Sequence, residues 1–115
     1  MALRITDREV QSVHVLDLEG RIVLGEESNS LRERVKSLLA AGNKKIVLNL
    51  AGVTYIDSAG LGTLVASFQS ARSQGAPLKM TNLGSKFKEV LQVTKLITVF
   101  DTYDSEAAAI QSFGA

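Results

Sequence analysis

The residue types best suited to chemistry are gathered in one short run, Asp57-Ser58-Ala59-Gly60-Leu61-Gly62. It sets a hydroxyl beside a carboxylate and follows both with two glycines one residue apart. A hydrolase nucleophile elbow needs Gly-x-Ser-x-Gly and a base downstream. Here Ile56 stands where the first glycine belongs, and the one histidine, His14, lies upstream. Without a base and an orienting acid a serine hydroxyl is a weak nucleophile at neutral pH, so a hydrolase is the most distant reading. His14, alone in an alternating segment, reads as a packed or surface residue. Phosphate loops fit no better: Val65 replaces the third glycine of the dinucleotide fingerprint, and no Gly-Lys-Ser/Thr occurs. Asp57 with Glu26 or Glu27 suggests a carboxylate pair or metal site, but helix capping and dipole compensation account for the same residues.

What remains is a serine presented as a substrate for another enzyme. Phosphorylation adds about −1.5 to −2 charge, and the free N–H groups of a helix's first turn can hold the new oxygens. Asp57 adds to that negative charge, which a partner docking flat over Gly60 and Gly62 has to desolvate. Ser58 then reads as a switch on binding and the glycines as a landing site. Two plainer readings stay open: an N-cap serine, and glycines that let the helix start pack tightly against a strand.

The elements that position this run follow from periodicity. Ile46 to Leu50 is a short apolar stretch interrupted only by Asn49, which predicts a buried strand followed by a small loop. Leu61, Leu64, Val65 and Phe68 then recur at i, i+3, i+4 and i+7, one buried helical stripe, with Asp57 and Ser58 as N-cap types. Gly60 and Gly62 each cost that helix about 0.5–1 kcal/mol against alanine, so a packing or binding gain must offset them.

Upstream, Leu3 and Ile5 alternate with Arg4 and Thr6, predicting a short edge strand before a polar turn over Asp7 to Ser12. Val13, Val15, Leu16 and Leu18 make a second strand. A tight turn at Glu19-Gly20 leads into Arg21-Ile22-Val23-Leu24, completing a β-meander. Gly25 ends it. Glu26 and Glu27 open a helix that buries Leu31, Val35, Leu38 and Leu39 and stops at Gly42-Asn43.

Downstream, Gln74-Gly75-Ala76-Pro77 ends the central helix, and Leu78 to Thr81 is a strand. A third helix follows Asn82-Leu83-Gly84 with Phe87, Val90 and Leu91 on one face. The last strand is expected at about Ile97 to Phe100, then a loop over Asp101 to Ser105 and a closing helix from Glu106 to Phe113. Strands first, then alternation, predict an α/β domain with a mixed sheet flanked by about four helices, functional loops lying at the carboxyl ends of the strands.

The 115 residues suit one domain, without internal repeat, low-complexity tract or linker. With 45% hydrophobic and 22% charged residues the composition is that of a soluble domain, and a net charge of +1 leaves no electrostatic footprint for nucleic acid or an anionic membrane. Cysteine is absent, which excludes disulfides and thiolate metal sites. The first nine residues, charged from Arg4 onward, do not read as a signal peptide, and no apolar run approaches the roughly 18 residues of a membrane span. A cytoplasmic protein is expected.

The run Val53-Thr54-Tyr55-Ile56-Asp57-Ser58-Ala59-Gly60-Leu61-Gly62 resembles the signature of STAS domains, specifically the bacterial anti-sigma factor antagonists. The likeness covers nearly all of residues 1–115: Leu18-Glu19-Gly20-Arg21-Ile22 is similar to the family's early strand and turn, Asn82-Leu83 precedes its third helix, and Val99-Phe100 with Tyr103-Asp104-Ser105 resembles its C-terminal end. The resemblance implies partner switching. An anti-sigma factor that is also a serine kinase phosphorylates Ser58, the unmodified protein binds that kinase and frees the sigma factor, and a metal-dependent serine phosphatase resets the cycle. Asp57 and Ala59 then flank the phosphoacceptor Ser58 within the partner-binding surface, Gly60, Leu61 and Gly62 form its contact platform, and the nucleotide belongs to the kinase, so no cofactor is expected. The family often carries an acidic residue shortly after the early turn, where this chain has Ile22-Val23-Leu24-Gly25. The alternative implied by the resemblance is a docking subunit of a lipid-transport or signalling scaffold, without a phosphate cycle. Thr54 and Thr63 are further hydroxyls near the site.

Overall fold

A two-residue turn at Gln11 and Ser12, both with positive φ (52° and 67°), joins β1 (Arg4–Val10) to β2 (Val13–Ile22) as an antiparallel hairpin. Left-handed backbone at both central positions matches the twist of paired strands, so Val10 pairs directly with Val13. The polar residues Asp7 to Glu9, expected in a turn, instead extend the edge strand, and their exposed charges suit an unpaired edge. The computed structural model describes residues 3–23, 25–95 and 100–113.

The expected meander is not formed. Gly20 (φ 111°) bends β2 without reversing it, and the register against β3 (Ile46–Ile56) shifts between Asp17 and Glu19 and again between Gly20 and Arg21. A glycine in a bulge lets one strand kink and continue, so Arg21 and Ile22 belong to β2. β3 also outruns the expected Ile46 to Leu50, because the bulged part of β2 stays paired alongside it as far as Ile56. Gly52 lies against the bulge, where a Cβ would meet Glu19 Cγ at 2.7 Å.

Helix α1 (Glu26–Ala40) buries Leu31, Val35, Leu38 and Leu39 as its spacing requires. It ends in a Schellman turn, with Gly42 N–H donating to Leu39 O and Asn43 N–H to Leu38 O. Helix α2 (Ser58–Ser73) ends the same way at Gly75 and Ala76. Then come β4 (Leu78–Thr81), α3 (Ser85–Val93), β5 (Asp101–Tyr103) and α4 (Glu106–Gln111). The loop expected over Asp101 to Ser105 thus contains the last strand, paired with β4 from Lys79↔Asp101 to Thr81↔Tyr103. Of the strand expected at Ile97 to Phe100, residues 97–99 lie outside the described residues, and Phe100 is a buried residue packed edge-to-face on Phe68.

Among the described residues the sheet runs β1-β2-β3-β4-β5, with only β1/β2 antiparallel. The main core, including Leu16, Leu48, Leu64, Met80 and Leu91, lies between this sheet and α1 to α3. Alternation sends Val13, Val15 and Val47 to the other face, where Ala109 and Ile110 of α4 close a smaller core. Among the described residues no helix is long and apolar enough to cross a membrane.

Candidate functional site

The carboxyl end of β3 delivers the chain straight into α2. Asp57 is extended (φ −93°, ψ −179°), and its N–H donates to Ile22 O across the sheet (3.2 Å). Its carboxylate Oδ1 accepts the Gly60 N–H at 2.7 Å, and its carbonyl accepts from Leu61 N–H at 2.9 Å. Asp57 is therefore the N-cap, and the alternative of Ser58 as cap is not what the structure has. Ser58 is the first helical residue and exposed. Ala59 and Leu61 beside it are half-buried.

The two glycines part company here. A Cβ on Gly60 would lie 2.0 Å from the carbonyl oxygen of Ile22 and 2.7 Å from its carbon, so only a residue without a side chain lets α2 start this close to β2. Tight packing explains Gly60, which is buried. Gly62, two residues on, is exposed and, among the described residues, would have nothing within 4 Å of an added Cβ. No packing demand accounts for its cost to the helix. The buried stripe of α2 is also displaced from the expected one: it runs through Gly60, Thr63, Leu64, Ser67, Phe68 and Ala71, leaving Leu61 and Val65 partly open.

Of the other hydroxyls, Thr63 is buried (8% exposed) and closed to an enzyme, whereas Thr54 is exposed and donates to Gly20 O at 3.1 Å. His14 is half-buried, its Nδ1 3.2 Å from Asp7 Oδ1, in keeping with a packed surface histidine. Among the described residues no group of three or more His, Cys, Asp or Glu is placed to hold a metal ion. The side chains of Glu26 and Glu27 lie outside the described residues.

Residues that periodicity did not assign to the site complete it. An apolar groove of about 480 Å³ opens beside Ser58, walled by Val53 and Ile56 of β3, Leu61 of α2, and Phe87 and Val90 of α3. Val90, expected on the buried face with Phe87 and Leu91, is 44% exposed. Leu91 takes the centre of that stripe and leaves Val90 at its edge. Tyr55 also lines the groove, with the Arg21 guanidinium 5.5 Å from its ring centre. The signal for such a feature was present as apolar residues at the edge of a stripe, but only the placement of α3 against β3 turns it into a groove.

A sequence profile of the STAS domain matches residues 4–109. The anti-sigma-B factor antagonist of Bacillus subtilis (strain 168) is 31% identical over 81 residues, 70% of this chain and 73% of that protein. A solved Thermotoga maritima structure, provisionally described as an anti-sigma factor antagonist, superposes with a TM-score of 0.85 at 27% identity, over 94% of this chain and 92% of the other. The anti-sigma factor antagonist SpoIIAA of Bacillus shares the fold at lower identity. Its unphosphorylated form gives a TM-score of 0.73 at 16% identity, covering 99% of both chains. Its phosphorylated form gives 0.69 at 17%, covering 93% of this chain and 96% of the other.

Proposed function

Because the chain belongs to the STAS domain family, we propose that it is an anti-sigma factor antagonist: a binding module, not an enzyme, whose hold on its partner is set by the phosphorylation state of Ser58. The partner is an anti-sigma factor that is itself a serine kinase. Unmodified, the surface of Ser58, Leu61 and Gly62, backed by Asp57, Ala59 and the buried Gly60, binds that kinase and frees its sigma factor. Within the complex the Ser58 oxygen attacks the γ-phosphorus of kinase-bound ATP, the bond to the bridging oxygen breaks, ADP leaves, and the hydroxyl proton passes to a base on the kinase. Water at the metal site of a separate serine phosphatase later removes the phosphoryl group as inorganic phosphate. This chain needs no cofactor for either step and works in the cytoplasm.

The observation that carries the reading is the division of labour at the helix start. Asp57 performs the capping, which leaves Ser58 exposed one turn before a glycine that nothing among the described residues packs against. A phosphate there meets first-turn N–H groups, so the fold tolerates it while the docking surface changes charge.

The test is intact-protein mass spectrometry with site mapping, after incubation with ATP and each kinase-type anti-sigma factor encoded near the gene. One phosphate on Ser58, absent from Ser58→Ala, is expected. No phosphate on a folded sample from any of those kinases would sink the switch and favour a docking subunit without a phosphate cycle.

A further inference from the structure

The groove beside Ser58 extends past the phosphoacceptor onto α3, and two of the large exposed hydrophobic side chains among the described residues line it. Among the described residues the large exposed hydrophobic side chains are Tyr55 (53%), Val90 (44%) and Val93 (77%). Tyr55 and Val90 line the groove, and Val93 lies one turn beyond Val90 on α3. Scattered singly, such residues mean little; collected at one mouth they mark a surface that something covers.

We propose that this groove receives the apolar ridge of an amphipathic helix of the kinase partner, and that the flank of this helix facing Ser58 carries no positive charge. The proposal rests on the reading of Ser58 as a phosphorylation switch. About 480 Å³ exceeds what one inserted side chain fills, and a trough walled by α2 and α3 suits side chains spaced i, i+3 and i+4 on a helix. The groove is also continuous with the switch, because Asp57, Ser58 and Leu61 line both.

Charge fixes the rest. Among the described residues lining the groove, Asp57 is the one acid and there is no lysine or arginine. Phosphate at Ser58 brings about −1.5 to −2 to this mouth, where the Asp57 carboxylate caps Gly60 N–H and the Arg21 guanidinium stands 5.5 Å from the Tyr55 ring centre. A cation on the partner at this point would be drawn more strongly by the phosphate, and modification would tighten the complex instead of releasing it. Release demands an uncharged, apolar contact that the phosphate leaves facing a buried charge without a partner.

The test has a partner-free arm and a complex arm. Folded wild-type protein should enhance the fluorescence of anilinonaphthalene sulfonate, and Val90→Glu should abolish this with its circular dichroism unchanged; no enhancement by wild type overturns the groove. Against the kinase that phosphorylates Ser58, unmodified Val90→Glu should bind at least about tenfold more weakly than wild type. Wild-type affinity should change less than about threefold between about 50 and about 500 mM salt. Tyr55→Ser, on the opposite wall at an exposed position, replaces Val90→Glu should that variant fail to fold. Wild-type binding by both variants, with Ser58 still phosphorylated, overturns the groove and leaves the switch standing. A steep loss of affinity with salt overturns the uncharged flank. Concentration-dependent dimerisation in sedimentation, lost in Val90→Glu, would give the groove to a second copy of this chain and overturn the proposal. Absence of both binding and phosphorylation in wild type would remove the switch, and this proposal with it.

Discussion

The two faces of the sheet hold their helices by opposite means. On one, α4 has only six residues and buries little more than Ala109 and Ile110, so polar ties fasten it. Arg8 of β1 bonds Asp17 (3.0 Å from Nη2 to Oδ1) and reaches Glu106 at the start of α4 (2.7 Å). Asp17 also accepts from Asn49 Nδ2 at 2.8 Å. The buried Lys79 donates to Ser112 Oγ at 2.6 Å and lies 4.3 Å from the Phe113 ring centre, so the end of α4 is held as well. On the other face α1 to α3 are held by the main apolar core, and at the carboxyl end of β3 their packing stops short and leaves an open groove. A short helix without intrinsic stability needs specific partners, whereas a surface meant for another protein keeps its apolar groups unspent. Polar ties between side chains thus mark the closed face, although Thr81 Oγ1 is buried there without a partner among the described residues, and unpartnered apolar area marks the working one.

The contrast is tested most severely where packing reaches the working face. In Gly60→Ala the new methyl would sit 2.0 Å from the Ile22 carbonyl oxygen, which belongs to backbone and cannot swing aside. A loss of about 3 kcal/mol or more is expected in urea unfolding, from forced separation of α2 and β2. A loss under about 1 kcal/mol would mean that the helix start is loosely seated. Next in size is Ser58→Asp. Its thermal midpoint should match wild type because the residue is exposed and does not cap, while its affinity for the kinase partner falls about a hundredfold, roughly 2.7 kcal/mol. Equal affinities in calorimetry would remove the switch from this face.

How much of this could be read from residues alone depended on the distance over which each feature is decided. Locally decided features were legible: the core face of α1, the stops at Gly42 and Gly75, and the strand-to-helix passage at Ser58. Features decided between elements were not. Gly20 looks the same whether it reverses a strand or kinks it, and the pairing of Arg21 and Ile22 with Tyr55 and Ile56 settles the matter. Gly60 and Gly62 are equivalent by composition, and the carbonyl of Ile22, far upstream in sequence, separates them. Periodicity placed Val90 on the apolar face of α3, but a period gives a direction and not a depth.

The closed face predicts a smaller effect with a defined pH dependence. The Arg8 guanidinium bonded to Asp17 holds its carboxyl below the usual carboxylate range; partial burial opposes that shift and the bond from Asn49 adds to it. A carboxyl depressed in the folded state contributes stability that is fully present above the unfolded value of about 4 and is lost as pH falls through the folded value. Arg8→Ala should therefore lower stability by about 0.5–1 kcal/mol near neutrality, the modest size following from a side chain 40% exposed to screening solvent. The difference from wild type should shrink as pH falls below about 4 and on through the depressed folded value, beneath which Asp17 is protonated in both. Thermal midpoints from pH 7 downward check this, and a difference that grows on acidification would show that Arg8 acts through something other than the carboxyl.

The smallest effect is also the one that most sharpens the comparison. Gly62→Ala puts a methyl into open space on an exposed helical position, so chain entropy and helix propensity should raise stability by about 0.5 kcal/mol. If Gly62 only tolerates its position, the variant should bind the kinase as wild type does and simply melt higher. If instead the partner lies flat on this turn, the same methyl stands in the interface, and affinity should fall while stability rises. Opposite signs in the two measurements from one added carbon would assign the glycine's cost to docking, since the fold itself gains by replacing it. A parallel gain in both would leave Ser58 and the groove as the whole of the working face.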